Sequence, residues 1–94
     1  MRFEWDEAKR RSNIRRHGID FLAARVVFAG RTVTLVDNRF DYEEPRFLTL
    51  GLLWGRVVAI VHTETDFVTR IISIRKASKN EEEIYFEEIS DWRN

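Results

Sequence analysis

The 94-residue chain contains no cysteine and only one proline. Without cysteine it can form neither a disulfide nor a thiolate zinc site, and a reducing compartment suits it. It also lacks any apolar run near the length of about 18 residues that a membrane span needs. The N-terminal stretch MRFEWDEAKRR has no apolar core of a signal peptide. We therefore expect one cytoplasmic domain over residues 1–94, with no cofactor, no metal and no membrane partner.

Net charge is absent as well, but the charged residues are unevenly distributed. The segment 9–31 has seven basic residues and one acid, whereas the segment 81–94 has six acids and one arginine. Arginine outnumbers lysine by 13 to 3, and arginine is suited to forked contacts with phosphate or carboxylate groups. This distribution predicts a basic surface for RNA or for an acidic protein partner.

The apolar periodicity predicts an α+β domain in the order β, α, α, β, β, β, β, α. Phe3 and Trp5 alternate with charged residues in a short N-terminal strand, and two helices follow. Four further strands form an antiparallel meander, because the separators Trp54-Gly55 and 64–66 suit tight hairpins. The helices are expected on one side of this four-stranded sheet. The four strands are TVTLVD (32–37), RFLTLGLL (46–53), RVVAIVHTE (56–64) and VTRIISIRK (68–76), and a C-terminal helix follows them.

Polar residues mark the expected helix ends. Asp6 and Asp20 stand where a side chain can cap the first turn of a helix. Gly18 can supply the left-handed residue that ends the first helix. Ser78 followed by Glu81 has the spacing of a capping box. These signals predict where all three helices begin and where the first one ends.

The last predicted strand combines apolar and basic residues. Strict alternation would place Ile72 and Ile74 on one face and Ile71, Ser73 and Arg75 on the other. Three cations accompany this short apolar run, because Arg70 and Lys76 flank it. The strand therefore predicts either a functional cationic surface or a set of structural ion pairs.

If the partner of the basic surface is RNA, its cleavage needs no metal, because the 2′-hydroxyl of RNA attacks the adjacent phosphorus once a base removes its proton. Positioning and charge stabilisation supply most of the barrier reduction. In one hypothesis Arg75 is the central phosphate ligand, with Ser73 on its face and Arg70 and Lys76 beside it. In the alternative, Arg75 pairs with a carboxylate of the connector 37–46 and holds it to the sheet. Both interpretations can hold together.

Two histidines could transfer protons, because the unperturbed pKa of histidine, ~6.5, suits either role. His17 ends the first helix, where a structural histidine that bonds to backbone carbonyls is the more common explanation. His62 lies near a strand end, and it is either catalytic or a solvated side chain.

Further residues could bind RNA. Lys9, Asn13 and His17 are spaced by four, so they lie along one helix face. In the connector, an aromatic ring could stack on a splayed base, although tyrosine more often anchors a loop to the core. The candidates in the connector are Arg39, Tyr42 and Arg46.

Five motifs in order resemble the BrnT family of bacterial toxins over residues 3–85. The motifs are FEWDEAK (3–9), NIRRHGIDF (13–21), DNRFDYEEPR (37–46), GRVVAIVHTE (55–64) and RIISIRKAS (70–78). The resemblance implies a RelE-like fold and a metal-independent endoribonuclease that halts translation. It also implies neutralisation by a cognate antitoxin with a ribbon-helix-helix domain that binds operator DNA, in a heterotetramer of two toxins and two antitoxins. The toxin would reach the operator only through the antitoxin.

The sequence departs from the family pattern at three places. His62 stands where the family generally has an aromatic residue, and Glu64 stands where it often has arginine. EEPR (43–46) takes the place of a more usual GExR. These departures keep an alternative function open, in which the chain is a weakly active or inactive binding module that completes an autorepressing toxin-antitoxin complex.

Overall fold

The computed structural model describes residues 2–38 and 43–92, with side chains as far as residue 90. The predicted order of elements is confirmed, with a 3₁₀ turn added before the second helix. The elements are β1 (Arg2–Trp5), α1 (Glu7–His17), the 3₁₀ turn (Phe21–Ala23), α2 (Ala24–Ala29), β2 (Thr32–Asp37), β3 (Arg46–Leu53), β4 (Arg56–Glu64), β5 (Val68–Lys76) and α3 (Lys79–Trp92). None of the helices in the described part of the chain has the length and apolar character needed to cross a membrane.

The predicted caps form at Asp6, Gly18 and Ser78, whereas Asp20 caps the 3₁₀ turn and α2 begins without a side-chain cap. Asp6 and Asp20 each accept a hydrogen bond from a backbone N–H of the turn that follows. Gly18 ends α1 with a φ of 71°, which glycine adopts without steric cost. At α3, Ser78 Oγ accepts from the Glu81 N–H at 3.2 Å, and Glu81 accepts from the Ser78 N–H at 2.8 Å. This reciprocal capping box fixes the start of α3.

The sheet has five strands in the order β1-β5-β4-β3-β2. Strands β2 to β5 form the predicted antiparallel meander. The N-terminal strand adds to it, because β1 runs parallel to β5 from Arg2 opposite Val68 to Trp5 opposite Ile71. The sheet is therefore mixed, and its first strand pairs with its last.

Helices cover both faces of the sheet, so the expectation of helices on one side is wrong. Side chains of the 3₁₀ turn and α2 pack with one face, and we call this group the first core cluster: Phe21, Ala24, Val27, Leu53, Val58, Ile60, Ile71 and Ile74. The second core cluster lies on the other face beneath α3: Leu48, Leu50, Val57, Ala59, Val61, Ala77 and Tyr85. Seven consecutive residues of β4 are buried. A strand that is apolar on both faces needs cover on both.

A β-bulge changes the faces of β5. Two consecutive residues of β4 lie opposite Ser73 and Ile71, so the register skips Ile72. As a result, Ile71 and Ile74 belong to the same core cluster, whereas Ile72 packs against the other. The expected alternation, with Ile72 and Ile74 on one face, is therefore wrong, because a bulge inserts one residue into the period of two.

Candidate functional site

A row of polar residues crosses the sheet on the face that carries α3. Asp37 lies opposite Arg46, Thr63 lies opposite Arg70, and Arg70 lies opposite Glu4. Extending the β3–β4 register by one residue places Arg46 beside Thr63. We call these five residues the polar row. It brings side chains from all five strands onto one face, although they are far apart in the sequence.

The polar row is open to solvent at the β5–β1 side. Helix α3 packs mainly against β2, β3 and β4, and Arg70 and Glu4 are each 44% exposed. The Arg70 Nη1 atom lies 3.4 Å from Glu4 Oε1. An exposed ion pair of this kind is weak, because water screens the charges. The guanidinium of Arg70 can therefore exchange this carboxylate for another anion.

Ser73 lies on the same face as the polar row. It is half-buried and opposite Val61, while Arg75 is opposite Ala59. Val61 and Ala59 both belong to the second core cluster, so the prediction that Ser73 and Arg75 share a sheet face is confirmed. Neighbouring strands lie about 4.8 Å apart, so the strands that carry Arg46 and Arg70 are about 10 Å apart.

Arg75 is held by α3. Its guanidinium makes a two-pronged ion pair with Glu81, with distances of 2.7 Å from Nη1 to Oε1 and 2.9 Å from Nη2 to Oε2. These hydrogen bonds lower the pKa of Glu81 from 4.5 to about 2. Arg75 thus has a structural carboxylate partner, but this partner is Glu81 of the capping box and differs from the connector carboxylates that the sequence predicted.

His62 lies in the core, on the face opposite the polar row. Its side chain is 0% exposed, and it packs between Phe28, at 5.3 Å between ring centroids, and Phe47, at 5.8 Å. Burial lowers the pKa of His62 from 6.5 to about 4, because desolvation disfavours the charged imidazolium. The interpretation of His62 as a solvated strand-end side chain is therefore wrong.

The two ring nitrogens of His62 have different surroundings. Nε2 lies 2.7 Å from Thr49 Oγ1, and this hydroxyl lies 2.8 Å from Thr34 Oγ1. Nδ1 is 3.4 Å from Glu64 Oε1, and it finds no hydrogen-bond partner in the described part of the chain. The imidazole thus belongs to a hydrogen-bonded chain on the α2 face, and Arg70 and Ser73 are on the other side of the sheet.

Asn13 is buried, and its amide is used within the protein. Its Nδ2 donates to the carbonyl oxygens of Ile74, at 2.8 Å, and Ile19, at 2.9 Å, while its Oδ1 accepts from Ile74 N–H at 3.1 Å. Strand β1 ends opposite Ile71, so the Asn13 side chain serves as the next pairing partner of β5. This structural role leaves the amide of Asn13 no free group for RNA.

The other predicted cations do not form one pocket edge. Lys9 and His17 are exposed on α1. Lys76 is exposed at the end of β5, opposite Val58 of the first core cluster, so alternation directs it away from the face of Arg75. The expectation that the cations of β5 share one pocket edge is therefore wrong for Lys76. Arg39 and Tyr42 lie outside the described residues.

The polar row can bind an anion through two guanidinium groups and can donate from hydroxyl groups. Among the described residues, no group of three or more His, Cys, Asp or Glu side chains is arranged to hold a metal ion. Sequence reasoning missed Thr63 and Glu4. Only the strand register places them beside Arg70, and no local signal shows which strand β1 joins.

The chain is similar to a known protein family over most of its length. A separate search, of curated proteins, gave no match. The family model described as the ribonuclease toxin BrnT of type II toxin-antitoxin systems matches residues 5–81. This range includes four of the five residues of the polar row, with Glu4 just before it. The chain therefore belongs to the BrnT family of ribonuclease toxins of type II toxin-antitoxin systems.

Proposed function

We propose that this chain is a metal-independent endoribonuclease that acts in the cytoplasm as a single domain of residues 1–94 and halts translation by cutting RNA. The observation that carries this proposal is the polar row, in which Arg46 and Arg70 share one sheet face that is open at β5. Membership of the ribonuclease toxin family supplies the reaction.

In this proposal, the RNA itself provides the nucleophile. The guanidinium groups of Arg70 and Arg46 bind the scissile phosphate and stabilise the negative charge that grows when the 2′-hydroxyl attacks. Arginine side chains are long enough to converge from strands about 10 Å apart. The hydroxyl groups of Thr63 and Ser73 lie on the same face and can orient the phosphate oxygens.

Other predicted residues would act around this centre. We propose that Lys9 and His17 bind the RNA backbone beyond the scissile bond, since both are exposed on a helix that packs along β5. Arg39 and Tyr42 stay in the proposal as contacts from the connector. Arg75 would act indirectly, because its pair with Glu81 fixes α3 against the sheet.

A translation assay tests the active site. Purified protein is added to a cell-free extract, and Arg70→Ala is compared with Arg25→Ala, which removes an exposed arginine from α2. We expect Arg70→Ala to lose activity by about 100-fold, the usual effect of removing one group that stabilises transition-state charge. Arg25→Ala should retain activity, and EDTA should not inhibit the protein. Equal activity of both variants would contradict the site, and inhibition by EDTA would contradict metal independence.

The family implies a cognate antitoxin, and we propose that this partner has a ribbon-helix-helix domain and forms a heterotetramer of two toxins and two antitoxins. The chain is neutral overall, which supports the proposal that it contacts operator DNA only through the antitoxin. Native mass spectrometry measures the stoichiometry. A gel shift of operator DNA by the toxin alone would contradict the proposal that the toxin contacts DNA only through the antitoxin.

A second candidate function is a binding module with weak or no nuclease activity. It is favoured by the structural use of three predicted site residues: His62 in the core, Asn13 on the β5 backbone and Arg75 on Glu81. The translation assay separates the two functions. If wild-type protein leaves message and protein synthesis undiminished but still binds its antitoxin, the binding module is the correct function.

A further inference from the structure

The two edges of the sheet are treated differently. At one edge, β1 is only four residues long and carries Arg2 and Glu4. Beyond the end of β1, the side chain of Asn13 bonds to both backbone groups of Ile74. Short length, charge and a covering element are devices by which proteins prevent an edge from pairing with another strand. This edge of the sheet is therefore closed.

The opposite edge is formed by β2 and is here named the β2 edge. Within the described residues its one charged residue is Asp37, at the very end of the strand. Strand β2 has six residues, TVTLVD, and its register with β3 is continuous from Thr32 to Asp37. It contains no proline, lysine or bulge. Val36 is 65% exposed and Leu35 is 37% exposed. A regular, β-branched strand at a sheet edge is a template for pairing, because half of its backbone N–H and C=O groups point outward.

A surface groove lies directly beside the β2 edge. It has a volume of about 360 Å³ and is formed by the start of β2 and the last turns of α3. Val33 and Ile89 provide its apolar walls, and Arg31 and Glu88 stand at its rim. A strand added to β2 would direct every second side chain toward this side of the sheet. The groove can therefore receive an apolar side chain of such a strand.

We propose that the β2 edge binds an extended segment of the antitoxin, which adds a sixth strand to the sheet and places an apolar side chain in the groove beside Val33 and Ile89. Recognition by strand addition takes affinity from main-chain hydrogen bonds and specificity from pockets for alternate side chains. The inference rests on the proposed function only in taking the antitoxin as the partner.

A second copy of this chain fits the β2 edge less well. Six residues extend over about 20 Å, whereas stable interfaces between folded proteins bury about 1,200–2,000 Å² in total. Two rigid copies that meet along one short strand would make a small contact. A flexible segment can follow the strand and also fill the groove. RNA is disfavoured, since exposed valine and leucine side chains offer nothing to a phosphate backbone.

Hydrogen exchange with and without the purified cognate antitoxin tests the inference. We expect exchange in residues 32–37 to slow when antitoxin is added. Val36→Lys places a charge on the edge at an exposed position, and it should weaken antitoxin binding by about tenfold or more, which calorimetry measures. Val26→Lys makes the same change at a 52% exposed position on α2 and should bind as wild type. Thermal unfolding checks that both variants are folded.

The outcomes separate the hypotheses. Two results would overturn the β2 edge as the binding site: tight binding of antitoxin with unchanged exchange in β2, or equal binding by both lysine variants. In either case the antitoxin would still be the partner. Protection of β2 that grows with toxin concentration in the absence of antitoxin would identify a second copy as the occupant, contrary to the inference. No binding of antitoxin by wild-type protein would overturn the proposed partner and the inference together.

Discussion

Acidification from pH ~7 to ~5 acts on a buried group of this protein, the imidazole of His62. Its pKa is about 4 in the folded chain against an ordinary value of 6.5. Between these two values the unfolded chain binds a proton that the folded chain excludes. Stability is therefore complete above the unfolded pKa and falls as pH decreases toward the folded one. The direction follows from burial, because His62 is 0% exposed between two aromatic rings.

The size of the effect follows from the same shift. Each unit of pKa difference corresponds to ~1.36 kcal/mol, so protonation of the unfolded state costs at most about 2 kcal/mol at pH ~5. The carboxylate of Glu64, 3.4 Å from Nδ1, would partly compensate a charged ring and so reduce this value. We expect the free energy of unfolding to fall by about 1–2 kcal/mol over this range.

Urea unfolding followed by tryptophan fluorescence measures this change. Wild-type protein is compared with His62→Phe, in which a similar ring fills the space between Phe28 and Phe47. The variant should lose most of the pH dependence and only about 1 kcal/mol of stability at neutral pH, for the lost hydrogen bond to Thr49. His17→Gln, at an exposed position, should keep the wild-type pH dependence.

Two results would refute this reasoning. One is an equal loss of stability in His62→Phe and wild type on acidification, which would assign the proton to other groups. The other is the absence of any loss in wild type. The same variant also tests the catalytic hypothesis for His62. A folded His62→Phe protein without ribonuclease activity would support a catalytic imidazole, whereas retained activity would agree with its position in the core.

Three further variants test contacts that hold the fold. Asn13→Ala leaves a donor and an acceptor of the β5 backbone without their partner and should cost about 2–3 kcal/mol in urea unfolding; a change below about 0.5 kcal/mol would contradict the proposed anchoring of α1. The pKa of Glu81 is about 2 against an ordinary value of 4.5, so its ion pair stabilises the fold above pH 4.5, and this contribution is lost as pH falls toward about 2. Glu81→Gln should lower the free energy of unfolding by about 1–2 kcal/mol at neutral pH, allowing for screening. In this variant the free energy of unfolding should also depend less on pH in the acid range. In Gly51→Ala the new Cβ would lie 2.6 Å from Val27 Cγ1, which should cost about 1–3 kcal/mol, and adding Val27→Ala should recover part of the thermal stability.

Local signals were sufficient for the secondary structure. The caps at Asp6, Gly18, Asp20 and Ser78 act within one helical turn, and the hairpin Trp54-Gly55 needs only positive φ at neighbouring residues, which are 49° and 82°. Each signal is satisfied by residues close in the chain. The order of the strands and helices and most of their bounds could therefore be predicted without knowledge of the tertiary structure, the exception being the 3₁₀ turn before α2.

The faces of the strands could not be predicted in the same way. The bulge that separates Ile72 from Ile74 arises between β4 and β5, and the parallel pairing of β1 with β5 joins segments more than 60 residues apart. The buried run of β4 is a signal for cover on both faces. A register shift of one residue moves a side chain to the other face of the sheet. The predicted site residues therefore lie on both faces of the sheet.

The sequence by itself determined the elements, their order, the uneven charge and the family, because each depends on residue types at short spacing. The tertiary structure alone decided that Arg70, Arg46 and Thr63 lie on one sheet face, that Arg75 pairs with Glu81 and that His62 is buried and neutral. It also decided that β2 is the outer strand at one side of the sheet. These outcomes depend on strand pairing and on burial, which lowers the pKa of an imidazole only after distant segments have excluded water from it.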